Sequence, residues 1–183
     1  MKHVMVDLET LSTAPNAAIM SIGAVAFDPE TGRVGAEFYV NIDPKSAQDA
    51  GLHVDAGTVS WWFSQSNEAR AHLVAPKPLP LQAALAAFQQ FLMLEVEPKF
   101  TIWGNGASFD NVILSHAYEA SGSPAPWRYW QDACYRTMKG LFPQVKMVRE
   151  GVHHDALADA RSQAKHLCAI FTAMRQRGVA GVA

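Results

Sequence analysis

The sequence has few of the features that mark secreted or membrane proteins. Its 183 residues include only two cysteines, Cys134 and Cys168, and these do not form a CxxC pair. Two cysteines in a chain of this length are no disulfide framework, so we expect a reducing, cytoplasmic location. No segment reaches the roughly 20 apolar residues of a membrane helix, and acidic residues interrupt the apolar run at the amino terminus too early for a signal peptide. We therefore expect no membrane association.

A strong excess of positive charge is also missing. The chain has 15 Lys and Arg against 17 Asp and Glu, which gives a formal net charge of −2. Proteins that coat or track long duplexes usually carry a large basic excess, whereas an enzyme that grips one strand end needs only a local pocket. The segment 128–149 holds five positive residues and one acid, a net of +4. This segment fits either a solvated helix face or a nucleic-acid contact.

Hydrophobic residues, by contrast, make up 49% of the chain, enough for one sizeable core. We therefore predict a single domain over residues 1–183. Apolar, β-branched runs predict strands at His3–Leu8, Ile19–Phe27, Val34–Ile42 and Phe100–Trp103, with a further short one near Trp130. Helical spacing predicts helices at Leu81–Leu94, Ser108–Ala120, Ala133–Leu141 and Asp155–Gln176, and the start of another at Thr58–Phe63. A hairpin followed by strands with helical crossovers indicates an α/β domain with a mixed sheet.

Acidic residues at the end of the first predicted strand are the first candidates for chemistry. Asp7 and Glu9 are two positions apart, so their side chains project from the same face of the strand. They follow a buried apolar run, and ligands commonly bind at the carboxyl ends of strands in α/β sheets. The same pair also fits a solvated strand end.

Two later segments add further acids and a histidine. Asp110 follows a Gly-rich loop in the first turn of a predicted helix, where it could simply complement the helix dipole. His154 and Asp159 would lie about 140° apart on a regular helix. They can converge if His154 lies in the preceding loop and Asp155 begins the helix as its cap. A capping pair with a solvated acid is the competing interpretation, and His153 competes with His154.

Four carboxylates from distant segments suggest a metal site. Oxygen ligands suit hard divalent cations such as Mg²⁺ or Mn²⁺, whereas zinc favours Cys and His. Two such ions about 3.5–4 Å apart can stabilise both the attacking and the leaving oxygen of a phosphodiester displacement.

Three sequence blocks resemble the DEDDh 3′→5′ exonucleases of the ribonuclease H-like superfamily. Residues 6–10 (VDLET) resemble the first motif, D-x-E-T. Residues 105–110 (NGASFD) are similar to the second motif. The interval from Asn105 to Asp110 is one residue longer than in proofreading exonucleases. Residues 154–160 (HDALADA) resemble the third, H-x-A-x-x-D-A, whose spacing selects His154. Within the family, the chain is most similar to the phage exonuclease and bacterial exoribonuclease branch.

The resemblance implies a ribonuclease H-like fold and a role for each motif residue. Asp7 would bridge two Mg²⁺ or Mn²⁺ ions, Glu9 and Asp159 would complete one site, and Asp110 would contribute to the other. His154 would act as general base, because its ordinary pKa of about 6.5 lies near working pH. The substrate would be the 3′ end of single-stranded DNA or RNA, and a homodimer is expected by analogy.

Substrate contacts are also predicted, at Thr10, Leu11, Trp61, Trp62 and Asn105. Family analogy places Thr10 and Leu11 against the terminal nucleotide. Trp61 and Trp62 could stack on bases at about 1–3 kcal/mol each. Adjacent helical residues face about 100° apart, so we expect one Trp in the core and the other accessible.

Two other function classes compete with the exonuclease. A nucleic-acid-binding module of the same fold could have lost catalysis, although all five motif residues are present. A His-Asp metal phosphohydrolase is suggested by His154 and Asp155, but that class is all-helical, and the strand-like first forty residues disfavour it.

Overall fold

A mixed five-stranded sheet forms the centre of the computed structural model, which describes residues 1–73, 77–176 and 178. Its strands are β1 (His3–Thr10), β2 (Ile19–Asp28), β3 (Arg33–Asn41), β4 (Thr101–Gly104) and β5 (Asp132–Cys134). The spatial order is β3-β2-β1-β4-β5. The first three strands pair antiparallel, and β4 and β5 run parallel to β1. The predicted mixed sheet is confirmed. Residues 74–76, 177 and 179–183 of the predicted domain lie outside the described residues.

The helices cover both faces of this sheet. In chain order they are α1 (Pro44–Asp49), α2 (Ala56–Phe63), α3 (Asn67–Leu73), α4 (Leu81–Glu95), α5 (Asp110–Ala120), α6 (Tyr135–Leu141) and α7 (Ala156–Gln176). Within the described ranges, none of them is long and apolar enough to cross a membrane.

Three predicted boundaries are corrected by the structure. Residues 58–63 are the last six of the eight residues of α2, which begins two residues earlier than predicted because the side chain of Asp55 caps the helix by accepting a bond from the Thr58 N–H at 2.7 Å. The strand expected near Trp130 begins at Asp132, after a 3₁₀ turn at Tyr129–Gln131. That strand takes up the first two residues of the predicted helix 133–141, which starts at Tyr135.

Strand β1 separates two hydrophobic clusters by simple alternation of its side chains. Val4, Val6 and Leu8 belong to the larger cluster, which α4 and α5 cover. Met5 points the other way, into a cluster with residues of α7. Because side chains two apart share a face, Asp7 and Glu9 project from the same side as Met5. The acids of the first motif therefore face α7.

Helix α7 lies unusually close to the sheet at Gly23. This glycine pairs with Asp7 in the β1–β2 ladder. A Cβ atom built on it would lie 2.2–2.3 Å from the backbone of Ala156 and Leu157. Backbone atoms cannot move aside as the tip of a flexible side chain can, so only glycine permits this approach. The amino-terminal end of α7 is therefore positioned directly over Asp7.

Substitution of Gly23 tests this close approach. We expect Gly23→Ala to destabilise the protein by about 3 kcal/mol, the upper part of the range for overpacking, because α7 must move away from the sheet. Urea unfolding followed by circular dichroism gives the free energy. Gly140→Ala is the matched control, since nothing lies within 4 Å of its Cβ position and alanine favours the helix by about 0.5–1 kcal/mol. Equal stabilities of the two variants would contradict the packing described here.

Candidate active site

The acids of β1 form one wall of the candidate site. Glu9 is 6% exposed and lies near the carboxyl end of the strand. Asp7 accepts a hydrogen bond at 2.8 Å from the side-chain amide of Gln163 on α7. The prediction that both carboxylates leave one face of a buried strand is confirmed by the register of the sheet.

The opposite wall is the beginning of α7. Helix α7 begins at Ala156, and the Asp155 carboxylate caps it by accepting a bond from the Ala158 N–H at 2.8 Å. His154 therefore lies in the loop and Asp159 one turn inside the helix, as predicted. The two meet directly, because the His154 N–H donates to Asp159 Oδ2 at 3.2 Å. His154 has a φ of 63°, a strained value for a residue with a side chain.

Asp110 is the first residue of α5 and is 3% exposed. Nearby backbone N–H groups of Leu8, Asn105 and Asp110 itself act to lower the pKa of its carboxyl. A Cβ atom on Gly104, at the end of β4, would lie 2.9 Å from the Cβ of Asp110. This glycine lets the start of α5 approach the sheet closely enough to bring Asp110 to the acids of β1.

The structure thus brings all five predicted catalytic residues to one cleft of about 220 Å³: Asp7, Glu9, Asp110, His154 and Asp159. Single carboxylate oxygens of Asp7, Glu9 and Asp159 all lie within 4.8 Å of one another. Ligand atoms of His153, His154 and Asp159 form a second such group. Asp110 lies outside both groups but faces the same cleft.

Burial and mutual repulsion make these acids hard to ionise in the absence of a bound cation. Burial, with the charges of Asp110 and Asp155, raises the pKa of Glu9 to about 8. Burial also raises the pKa of Asp110 to about 7, although the backbone N–H bonds oppose the shift. The pKa of Asp7 lies well above its usual range because the carboxyl is buried beside Asp110 and Glu9. The cleft therefore favours a positive ligand.

The pKa of His154 is shifted in the opposite direction, below its ordinary value. Burial, with the nearby His153 and the Arg149 guanidinium, lowers the pKa of His154. Its ring lies edge-on to the two tryptophans, with centroids 5.0 Å from Trp61 and 5.8 Å from Trp62. At neutral pH the imidazole is consequently neutral and able to accept a proton.

Two residues of the site were not predicted from the sequence. Arg149 donates a charged hydrogen bond to Asp159, and it had been noted only as part of a basic segment. Gln163 is buried, and its Oε1 atom has no hydrogen-bond partner while its Nε2 atom holds Asp7. Gln163 could have been found, because it follows Asp159 by four residues and so shares its face of α7.

An aromatic pocket of about 480 Å³ opens beside the acidic cleft, and the two share Leu8, Glu9 and Phe109. Trp61 is 43% exposed and Trp62 is 5% exposed. The Trp62 indole N–H donates to the Thr10 carbonyl at 2.8 Å and so fastens α2 to the end of β1. The expectation of one accessible and one core tryptophan is confirmed, with Trp61 the accessible one.

The predicted substrate contacts are not all on these walls. Thr10, Trp61 and Trp62 line the aromatic pocket, and Asn105 lines the acidic cleft. Leu11 lines neither, since it packs behind the pocket against Met20 and Trp62.

Known proteins resemble this chain in sequence. Residues 2–171 match the family model described as 3′-5′ exoribonuclease Rv2179c-like domain. An exodeoxyribonuclease of Enterobacteria phage T4 is 29% identical over 121 residues, which are 60% of this chain and 52% of that protein. The chain therefore spans about half the length of this curated relative.

Solved structures share the fold. E. coli Exonuclease I in complex with a dT13 oligonucleotide has a TM-score of 0.67 at 18% identity, over 97% of this chain and 42% of that one. The nuclease domain of 3′hExo, a DEDDh family member bound to rAMP, has a TM-score of 0.61 at 15% identity, over 96% and 92% of the two chains. These likenesses show the fold, and the family match over residues 2–171 shows that the chain belongs to the family described as 3′-5′ exoribonuclease Rv2179c-like domain.

Proposed function

We propose that this chain removes nucleotides one at a time from the 3′ end of single-stranded DNA or RNA, in a reaction that requires divalent cations. The observation that carries the proposal is the meeting of three mutually close carboxylates, from β1 and α7, with His154 and an adjoining aromatic pocket. The matching family is described as an exoribonuclease and the phage relative is named an exodeoxyribonuclease, so the proposal includes both RNA and DNA. On family analogy we also expect a homodimer.

The donor atoms fit Mg²⁺ or Mn²⁺. They are carboxylate oxygens from Asp7, Glu9, Asp110 and Asp159, which suit hard cations. Burial raises the pKa values of Glu9 and Asp110, and nearby acids add to the shift of Glu9. Among the described residues, Arg149 opposes the shift of Asp7 and Arg136 opposes that of Asp110. Two bound ions would supply activation of the attacking water and stabilisation of charge on the leaving oxygen.

His154 is assigned as the general base. Its neutral imidazole can take the proton of the attacking water, and its position is fixed by the backbone bond to Asp159 and by the two indole rings. The proton transfer leaves a positive imidazolium near the carboxylates, which stabilise it. Gln163 is assigned as a positioning residue, because its amide holds the Asp7 carboxylate in one orientation.

The aromatic pocket is assigned to the terminal nucleotide. Trp61 offers an exposed ring at the mouth of the pocket, and Phe109 and Leu8 supply apolar surface between it and the acids. Base stacking on an aromatic ring tolerates every base. This arrangement suits an enzyme that shortens a strand without regard to its sequence.

Digestion of labelled strands tests the reaction. With 5′-labelled single-stranded DNA and RNA, we expect a ladder that shortens from the 3′ end with Mg²⁺ or Mn²⁺ and vanishes with a chelator. His154→Ala should lower kcat at least about 100-fold, the usual contribution of acid–base catalysis, and Glu9→Gln should also abolish most activity because it removes a charged ligand of the proposed cation site. His116→Ala, which changes a histidine of α5 outside the acidic cleft, is the control and should retain full activity. Binding of strands without any ladder would instead favour a module that has lost catalysis.

The two tryptophans should behave differently. Trp61→Ala should raise KM for oligonucleotides roughly tenfold, because it removes a stacking ring worth about 1–3 kcal/mol. It should change the free energy of unfolding little. Trp62→Ala should cost about 3–5 kcal/mol of stability as a buried aromatic truncation. Steady-state kinetics and urea unfolding of both variants separate the roles. A stable Trp62→Ala protein, or an unchanged KM in Trp61→Ala, would contradict the assignment.

Metal binding should become more stabilising as pH rises. Between the ordinary carboxyl pKa values near 4 and the folded values of about 7 for Asp110 and 8 for Glu9, the folded protein binds more protons than the unfolded chain. Stability of the metal-free protein should therefore fall as pH rises through this window.

Because cations bind the ionised carboxylates, the increase in Tm with Mg²⁺ should be larger at pH 8.5 than at pH 6. Differential scanning calorimetry with and without chelator measures it, and Glu9→Gln should lose most of the effect. If Mg²⁺ raised the Tm equally at both pH values, the result would count against a metal site at these acids.

A further inference from the structure

A second pocket adjoins the acidic cleft on the side away from the tryptophans. It has a volume of about 580 Å³ and is bounded by α6 and by the segment that leads to α7. Its wall includes three cations, Arg136, Lys139 and Lys146, and no acidic residue. The sequence from 133 to 149 likewise contains four Lys or Arg residues and no Asp or Glu, in a chain of net charge −2. We call this the basic pocket.

The three pockets follow one another in a fixed order. The aromatic pocket and the acidic cleft share Leu8, Glu9 and Phe109, while the acidic cleft and the basic pocket share Asn105 and Arg136. The acidic cleft is therefore the middle one. A strand whose scissile phosphate lies at the carboxylates can extend into the aromatic pocket on one side and the basic pocket on the other.

The chemistry of the two outer pockets is different. The aromatic pocket contains two indole rings and two acids but no Lys or Arg, so it suits a base and sugar better than a chain of phosphates. The basic pocket contains cations and small apolar side chains but no Phe, Tyr or Trp on its wall, so it offers charge without stacking. Phosphates are the sequence-independent part of a nucleic acid, and Lys and Arg neutralise them.

The floor of the basic pocket is held in place by buried hydrogen bonds. The His166 Nε2–H donates to the Val145 carbonyl at 2.8 Å, and the Tyr135 hydroxyl bonds to His166 Nδ1 at 2.7 Å. The same hydroxyl oxygen lies 3.4 Å from the Met147 sulfur. These contacts connect α6, α7 and the segment that carries Lys146, so the backbone that carries the cations is held in one position. Arg136 is held by a bond at 2.6 Å to the Asn105 carbonyl.

We propose that the basic pocket binds the phosphates of the substrate strand on the 5′ side of the scissile bond. The strand would then run from the aromatic pocket, which holds the 3′-terminal nucleoside, across the carboxylates to Lys139 and Lys146. This inference rests on the proposed exonuclease function, and it adds the path and polarity of the strand. It also assigns the basic segment to substrate binding, which the sequence left open between a solvated face and a nucleic-acid contact.

Substrate length provides the test. A dinucleoside monophosphate has no phosphate on the 5′ side of its one phosphodiester bond, whereas a 12-nucleotide strand has several. We compare KM for both substrates in wild type, in Lys139→Gln/Lys146→Gln and in the control Lys2→Gln/Lys99→Gln. The control removes the same charge at exposed positions at the other end of β1 and β4. Arg136 is left intact because it also faces the carboxylates.

For the 12-mer, the KM of the Lys139→Gln/Lys146→Gln variant should be about 25-fold higher than that of wild type at 0.1 M salt. The slope of log KM against log salt should be lower by about 1.4, because each of the two lost phosphate contacts contributes about 0.7. The rise should be absent with the dinucleoside monophosphate. Control and variant should share one Tm, because all four lysines are exposed.

The outcomes separate the two proposals. Wild-type protein that degrades neither substrate would overturn the exonuclease function itself. Wild-type activity with equal 12-mer KM values in variant and control would overturn only the strand path. Equal losses on both substrates would also overturn it, because the lysines would then act on the terminal nucleotide or on the released product.

Discussion

Negative charge held in a confined space is the constraint on which the rest of this structure depends. Asp7, Glu9 and Asp159 each place a carboxylate oxygen within 4.8 Å of the others, and Asp110 faces the same cleft. Burial opposes the ionisation of such carboxylates and raises the pKa values of Glu9 and Asp110 to about 8 and about 7, and the charge of Asp110 adds to the shift of Glu9. A fold can keep such a cluster only if rigid elements hold the acids together or a cation neutralises them. This protein combines the first condition with donor atoms suited to the second.

The rigid elements meet at glycines. Gly23 lets the backbone of α7 contact the sheet opposite Asp7, and Gly104 lets α5 begin close to β1. Each contact brings an acid from a distant part of the chain to the end of β1. The site is therefore built from backbone positions, which are less adaptable than side-chain rotamers. Such preorganisation is what stabilisation of a charged transition state requires.

The two sides of the acidic cleft carry different kinds of side chain. Indole rings lie on one side and cations on the other, with His154 beside the tryptophans and Arg149 on the Asp159 carboxylate. Arg149 contacts one carboxylate oxygen, Oδ1, of a candidate metal ligand, Asp159. The loop before α7 thus contributes a histidine, a helix cap and a positive charge within seven residues, from Arg149 to Asp155.

The sequence by itself determined the mixed sheet, the acids of the first motif and the position of His154 before the last helix, because strand alternation, helix periodicity and cap chemistry are local properties. It also predicted that only one of two adjacent tryptophans could be buried. Tertiary structure decided that Trp62 is the buried one, that Gln163 and Arg149 contact the acids, and that Leu11 packs behind the pocket. These outcomes depend on which elements pack against one another across the sheet. Distances between residues more than a hundred positions apart, such as Asp7 and Gln163, are set by that packing and by no local pattern.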